Sequence, residues 1–157
     1  MAVLRHNRLD DGAWCLESEL LIPRPREEVF SFFQDAYNLE QLTPEFLRFQ
    51  VLTPRPVPMH TGARIDYRLR LHGIPIRWQS EIAQWDPPHG FEDRQLKGPY
   101  KSWHHTHRFL EQEDGTLCTD RVVYRVLGGP IIQRLFVARD VEQIFHYRAQ
   151  HLRERFG

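Results

Sequence analysis

The chain has 157 residues, with 21 lysines plus arginines balanced by 21 aspartates plus glutamates, so its formal charge is zero. That length suits one domain, spanning 1–157, which can bury a real core without disulfide or metal staples. The charge balance argues against a nucleic-acid binder and against a protein that coats anionic membranes, since both depend on net basic charge.

The opening "MAVLRHNRLDDGAW" carries charges early and has no long apolar core, so no signal peptide is expected. No apolar run approaches the roughly 18 residues of a membrane span. Cys15 and Cys118 lie far apart and form no CxxC pair, which fits a reducing cytoplasm and leaves their pairing open. "WCLESELLI" (14–22) predicts a first strand with Trp14, Leu16, Ser18, Leu20 and Ile22 on one face. Pro23 and Pro25 stop it. "PREEVFSFFQD" then predicts a short helix, with Pro25 at its start, Glu27 and Glu28 in the first turn, and Val29, Phe32 and Phe33 in an apolar stripe. "NLEQLTPEFL" predicts a second short helix capped by Asn38 and ended or restarted at Pro44.

Six strands are expected next. "RFQVLTP" (48–54) leads into a proline-rich connector. "ARIDYRLRLHG" (63–73) alternates Ile65, Tyr67, Leu69 and Leu71 against Asp66, Arg68, Arg70 and His72. The following strand alternates Ile74, Ile76, Trp78, Ser80 and Ile82 against Arg77, Gln79 and Glu81. "FEDRQLKG" places Phe91, Asp93 and Gln95 together. "GPYKSWHHTHRF" (98–109) places Trp103, His105, His107 and Phe109 on one face. "EDGT" (113–116) is a hairpin turn, and "TLCTDRVVYRVL" groups Asp120, Val122, Tyr124 and Val126. "GGP" (128–130) opens a helix that runs to the C-terminus. Its stripe is Val137, Val141, Ile144, Phe145 and Leu152, with the stem of Arg148 within it. Ile131, Leu135 and Phe136 fall off that stripe, which predicts deeper burial there, with a cavity wall as the alternative.

These residues also carry a resemblance. "IPRPREEVFSFFQDAYNLEQLTPEFLRFQVL", "GARIDYRLRLHGIPIRWQSEIAQWDPPHGFEDRQLKGPYKSWHHTHRF" and "GTLCTDRVVYRV" resemble the START-like, or helix-grip, superfamily, also called SRPBCC. Within it the chain looks like the bacterial ligand-binding, polyketide cyclase/dehydrase-like group, from about Trp14 to Leu152. The resemblance implies an α+β fold: a curved antiparallel sheet wrapped around a long C-terminal helix, with two short helices after the first strand and a cavity between sheet and helix. It does not fix a function, because the superfamily spans lipid carriers, cyclases, hormone receptors and chaperone cofactors.

A cavity makes the inward strand faces the place to look. They are apolar at Tyr67, Leu69, Leu71, Ile76, Trp78, Ile82, Trp103, Phe109 and Val122, with Asp93, Gln95, His105, His107, Asp120 and Tyr124 set among them. Each buried polar group needs a partner, since an unpaired one costs roughly 1–3 kcal/mol. Asp–His pairs would satisfy one another and fix strand register without any chemistry. In the binding reading, Tyr67, Leu69, Ile76, Trp78, Asp93, Gln95, Trp103, His105, His107, Asp120, Tyr124 and Phe145 line a pocket for a small hydrophobic or amphipathic molecule. A volume of roughly 300–1,000 Å³ would favour it. In the catalytic reading, His105 or His107 is a general base oriented by Asp93 or Asp120, with Tyr124 as proton donor. A metal held by His105, His107 and Asp93 would need more than an HxH pattern, and neither HExxH nor CxxC is present. Paired core histidines are the stronger reading, so no metal or cofactor is expected. Homodimer formation is left open.

Overall fold

The structure, a computed structural model, describes residues 2–157. Eight strands form one sheet: β1 (Val3–Arg8), β2 (Trp14–Ile22), β3 (Gln50–Val51), β4 (Arg64–Leu71), β5 (Ile74–Asp86), β6 (Gly90–Lys97), β7 (Ser102–Gln112) and β8 (Gly115–Arg125). Their order is β1-β2-β8-β7-β6-β5-β4-β3, and every neighbouring pair is antiparallel. Helix α1 (Arg26–Gln34) follows β2; α2 (Gly129–Ile132) and the long α3 (Ala138–Phe156) follow β8. The curved sheet with its C-terminal helix is the α+β helix-grip architecture expected from the resemblance.

Side-chain alternation sets the inner face. In β4, Ile65, Tyr67 and Leu69 are buried while Arg64, Asp66, Arg68 and Arg70 are exposed. Tight turns join the long strands, and His72 and Gly73 take positive φ (50° and 82°) to close the β4–β5 hairpin. Helix α1 begins after Pro25 and buries Val29, Phe30, Phe32 and Phe33. Phe30 lies edge-on to Phe109, with ring centroids 5.3 Å apart. One apolar cluster joins α1, the inner strand faces and the C-terminal half of α3; a smaller one joins Leu16, Val122, Tyr124, Val141 and Phe145. Cys15 and Cys118 are free and buried.

The structure differs from the sequence reading in three places. Val3–Arg8 forms an edge strand on β2, an element the sequence reading did not mark. Only a sheet edge already in place gives this mostly polar hexapeptide its partners. The second short helix is two 3₁₀ turns, Ala36–Glu40 and Glu45–Leu47. Its cap is the Asp35 carboxylate, which accepts from the Tyr37 N–H at 3.0 Å. Asn38 instead donates its side-chain amide to the Phe32 carbonyl at 2.7 Å, satisfying a terminal carbonyl of α1. Pro44, with no N–H to give, separates the two turns. Finally, Ile131 is 71% and Phe136 46% exposed, against the expected deeper burial. A π-helical turn over Gln133–Val137 rotates the face presented to the core, so the buried residue there is Gln133, 1% exposed. The side chain of Leu135 lies outside the described residues.

Candidate functional site

Between sheet and α3 lies a cavity of about 180 Å³. Leu69 and Leu71 from β4, Trp78 and Ile82 from β5, Phe91 from β6, Trp103 from β7 and Ile144 and Phe145 from α3 give it apolar walls. Phe32, Phe33 and Leu39 close it from α1 and the first 3₁₀ turn. Trp78, Tyr100 and Trp103 pack as one aromatic group, with centroids 4.8–5.6 Å apart. The volume is below the expected range for drug-sized ligands. It exceeds the roughly 150 Å³ of a dry apolar cavity that accepts benzene. The space therefore suits a compact molecule of one or two rings.

The lining polar groups include Tyr67, Ser80, Asp93, His105, His107 and Arg148. The register of β6, β7 and β8 explains the gathering of the acids and histidines. Asp93 stands opposite His105, and His107 opposite Asp120. Diagonal neighbours then bond: His105 Nε2 lies 2.8 Å from Asp120 Oδ1, and His107 Nε2 lies 2.7 Å from Asp93 Oδ2. The two imidazoles stack at 3.6 Å, and His107 stacks in turn on Phe91 at 4.0 Å. Arg148, 7% exposed, comes down from α3 and puts Nη2 3.2 Å from Asp120 Oδ1 and 3.3 Å from His107 Nδ1. Its guanidinium also lies over the rings of Phe33 and Phe145, at 5.3 and 5.8 Å.

The charges follow from these contacts. Burial opposes ionisation of Asp120, but the Arg148 guanidinium and the bonds to both histidines outweigh it and hold the carboxyl well below its ordinary value. Burial likewise opposes ionisation of Asp93, but the hydrogen bond and charge of His107, with smaller help from His105 and Arg148, hold the carboxyl below its ordinary value. For His107, burial opposes the charged form, yet hydrogen bonds to Asp120 and Asp93 raise its pKa. Burial, then the charge of His107, pushes His105 down to about 4, despite its bond to Asp120. Two carboxylates thus face Arg148 and His107, whose charged form they favour, while His105 is held neutral. Because an ionised carboxylate only accepts, Nε2 of His105 carries the proton and Nδ1 holds a free lone pair. Among the described residues the His105 ring makes its hydrogen bond through Nε2, to Asp120. Burial and then the Asp93 charge raise the Tyr67 hydroxyl, which stays a neutral donor.

Of the twelve residues expected to line the pocket, Tyr67, Leu69, Trp78, Asp93, Trp103, His105, His107 and Phe145 do. Four do not. Ile76 lies nearer the hairpin end of β5, opposite Leu69. Gln95 is turned to the chain: its amide donates to the Tyr100 carbonyl at 2.9 Å and accepts from the Tyr100 N–H at 3.2 Å, bracing the turn at Gly98. Asp120 stands outside the lining, bonded to His105 and Arg148. Tyr124 is wholly buried, with its hydroxyl 2.6 Å from His6 Nε2 and accepting from Gln133 at 2.8 Å. Those contacts take it out of the expected role of cavity proton donor. Sequence reasoning missed the charge of Arg148 and the closing residues of α1. The usable signal was an arginine inside an apolar helical stripe, which needs a buried acid.

Residues 22–145 match a family model described as polyketide cyclase / dehydrase and lipid transport. Among curated proteins no sequence matches the chain. Solved structures do. Protein CV1439 from Chromobacterium violaceum superposes with a TM-score of 0.71 at 12% identity, over 90% of this chain and 96% of that one. Ms6760 from Mycobacterium smegmatis gives 0.69 at 16%, over 97% and 96%. The ginseng major latex-like protein 151 from Panax ginseng gives 0.67 at 11%, over 91% and 97%. At these identities the likeness is one of fold.

Proposed function

The chain belongs to the polyketide cyclase / dehydrase and lipid transport family, and from that premise we propose that it binds one compact hydrophobic molecule between the sheet and α3. One observation carries this reading: an apolar cavity, rich in aromatic side chains, whose lining includes a polar group built from Tyr67, Asp93, His105, His107 and Arg148. Apolar walls supply affinity, and Nδ1 of His105 with the Tyr67 hydroxyl orients a polar substituent. A phenol, enol or alcohol suits an acceptor beside a donor. The buried free cysteines fit the reducing cytoplasm expected from the sequence.

The test is a titration with 1-naphthol, a bicyclic phenol, followed by quenching of Trp78 and Trp103, which line the cavity. Leu69→Trp fills the space and should abolish the quenching. Ile74→Trp, at an exposed position, should leave it intact. Equal binding by both variants would remove the cavity from the account.

A second reading has its own observation. Asp120 orients His105 so that its free nitrogen is available for proton abstraction, the step cyclisation or dehydration needs. The magnitude counts against it, because a base with a pKa of about 4 is weak at neutral pH. A turnover rate that rises through a pKa and is lost in His105→Gln would favour this reading over binding alone.

A further inference from the structure

We propose that Asp93, His105 and His107 form a site for one divalent transition-metal cation at the polar part of the cavity. The proposal goes beyond ligand binding and does not depend on it. One donor atom from each of the three residues lies within 4.8 Å of the other two, and both histidines are buried. Two imidazoles and a carboxylate form a donor set that suits zinc or ferrous iron.

What sets this cluster apart from an ordinary HxH pair is its backing. Histidines that hold a metal usually give their other ring nitrogen to a carboxylate, which fixes ring orientation. Here one carboxylate serves both rings. Asp120 Oδ1 lies 2.8 Å from Nε2 of His105 and 3.4 Å from Nδ1 of His107. The nitrogens left for an ion are Nδ1 of His105 and Nε2 of His107, and the latter already sits 2.7 Å from Asp93 Oδ2. An ion takes the place of the proton between His107 and Asp93, which leaves to solvent. Arg148 offsets the charge of Asp120 at 3.2 Å. Asp93, His105 and His107 all line the cavity and Asp120 does not, so the open coordination positions face the ligand space. Dication, guanidinium and two carboxylates leave one positive charge, which an anionic oxygen of a bound molecule would complete.

The experiment uses full-length protein stripped with a chelator, titrated with Co²⁺ as a spectroscopic stand-in for zinc and then competed with Zn²⁺. One Co²⁺ per chain should bind with visible absorption bands that Zn²⁺ erases. Asp93→Asn and His105→Gln should abolish the bands, and Asp120→Asn, which loses the carboxylate that orients both rings, should weaken binding roughly 10–100-fold. His104→Gln, a change of a surface histidine bonded to Glu92 at 3.1 Å, should change nothing. A readout without mutation keeps the test independent of folding: in imidazole-nitrogen NMR spectra of the parent protein, Zn²⁺ should shift His105 Nδ1 and His107 Nε2 and leave His104 untouched. Failure to take up Co²⁺, or uptake equal in all variants with no shift at these two nitrogens, would overturn the proposal. Naphthol binding by the stripped protein would survive that outcome, so the two readings fail separately.

Discussion

Asp120 is the residue on which the buried network turns. It faces His105, His107 and Arg148 together, and no replacement of similar size carries its charge. Asp120→Ala should cost about 3–5 kcal/mol in urea unfolding, because it leaves a buried guanidinium without its counter-charge. The pH dependence of the metal-free protein has a defined sign. His105 is pushed down to about 4 from its ordinary 6.5, so the unfolded chain takes up a proton that the folded chain refuses. That contribution to stability is whole above pH 6.5 and is lost as pH falls from 6.5 toward 4, with a limiting slope of about 1.4 kcal/mol per pH unit. The lowered carboxyls add a further loss below the ordinary carboxylate value of 3.8. His107 runs the other way: its raised pKa stabilises at low pH, and that gain is lost as pH rises through the folded value. His105→Gln should flatten the stability profile between pH 6.5 and 4; an unchanged slope would assign the acid lability to other groups. Burial pushes the Cys118 thiol up to about 12, so thiol reagents at pH 8 should label it only as fast as the protein unfolds. Alternation placed Asp93, His105, His107 and Asp120 on inner faces without a structure. It could not supply Arg148, which is 28 residues from Asp120 in sequence and reaches it only through the docking of α3.

At the scale of elements, β1 and the start of the C-terminal helix were the parts least visible in sequence. Both depend on partners distant in the chain. His6 on β1 bonds the Tyr124 hydroxyl at 2.6 Å and Glu142 of α3 at 2.9 Å, so the edge strand ties β8 to the helix. His6→Ala leaves the buried Tyr124 hydroxyl with Gln133 alone and should cost about 1–3 kcal/mol, read by thermal or urea unfolding. No change would mean that β1 only decorates the edge. The long strands were legible because alternation is a local property: β4 reads from its own eight residues. The helical stripe of α3 was legible from Val141 onward for the same reason. It failed upstream because one π turn shifts the register, and nothing in a period of 3.6 announces it.

At the scale of the molecule, the fold places an apolar-walled space beside a self-neutralising charged network, and both are made by α3 lying against the sheet. The sequence reading reached that arrangement through a resemblance over most of the chain, and the sheet order and family match agree with it. At about 180 Å³ the space is smaller than the roughly 300–1,000 Å³ that would favour a drug-sized ligand, and aromatic side chains at Phe32, Phe33, Trp78, Tyr100 and Trp103 line it. The central claim is that this space holds a compact organic molecule. Native mass spectrometry of the purified protein, before and after addition of 1-naphthol, tests it most directly. The account predicts one bound molecule per chain, carried through purification or gained with naphthol, released on denaturation and lost in Leu69→Trp. A bare chain mass under both conditions would contradict it.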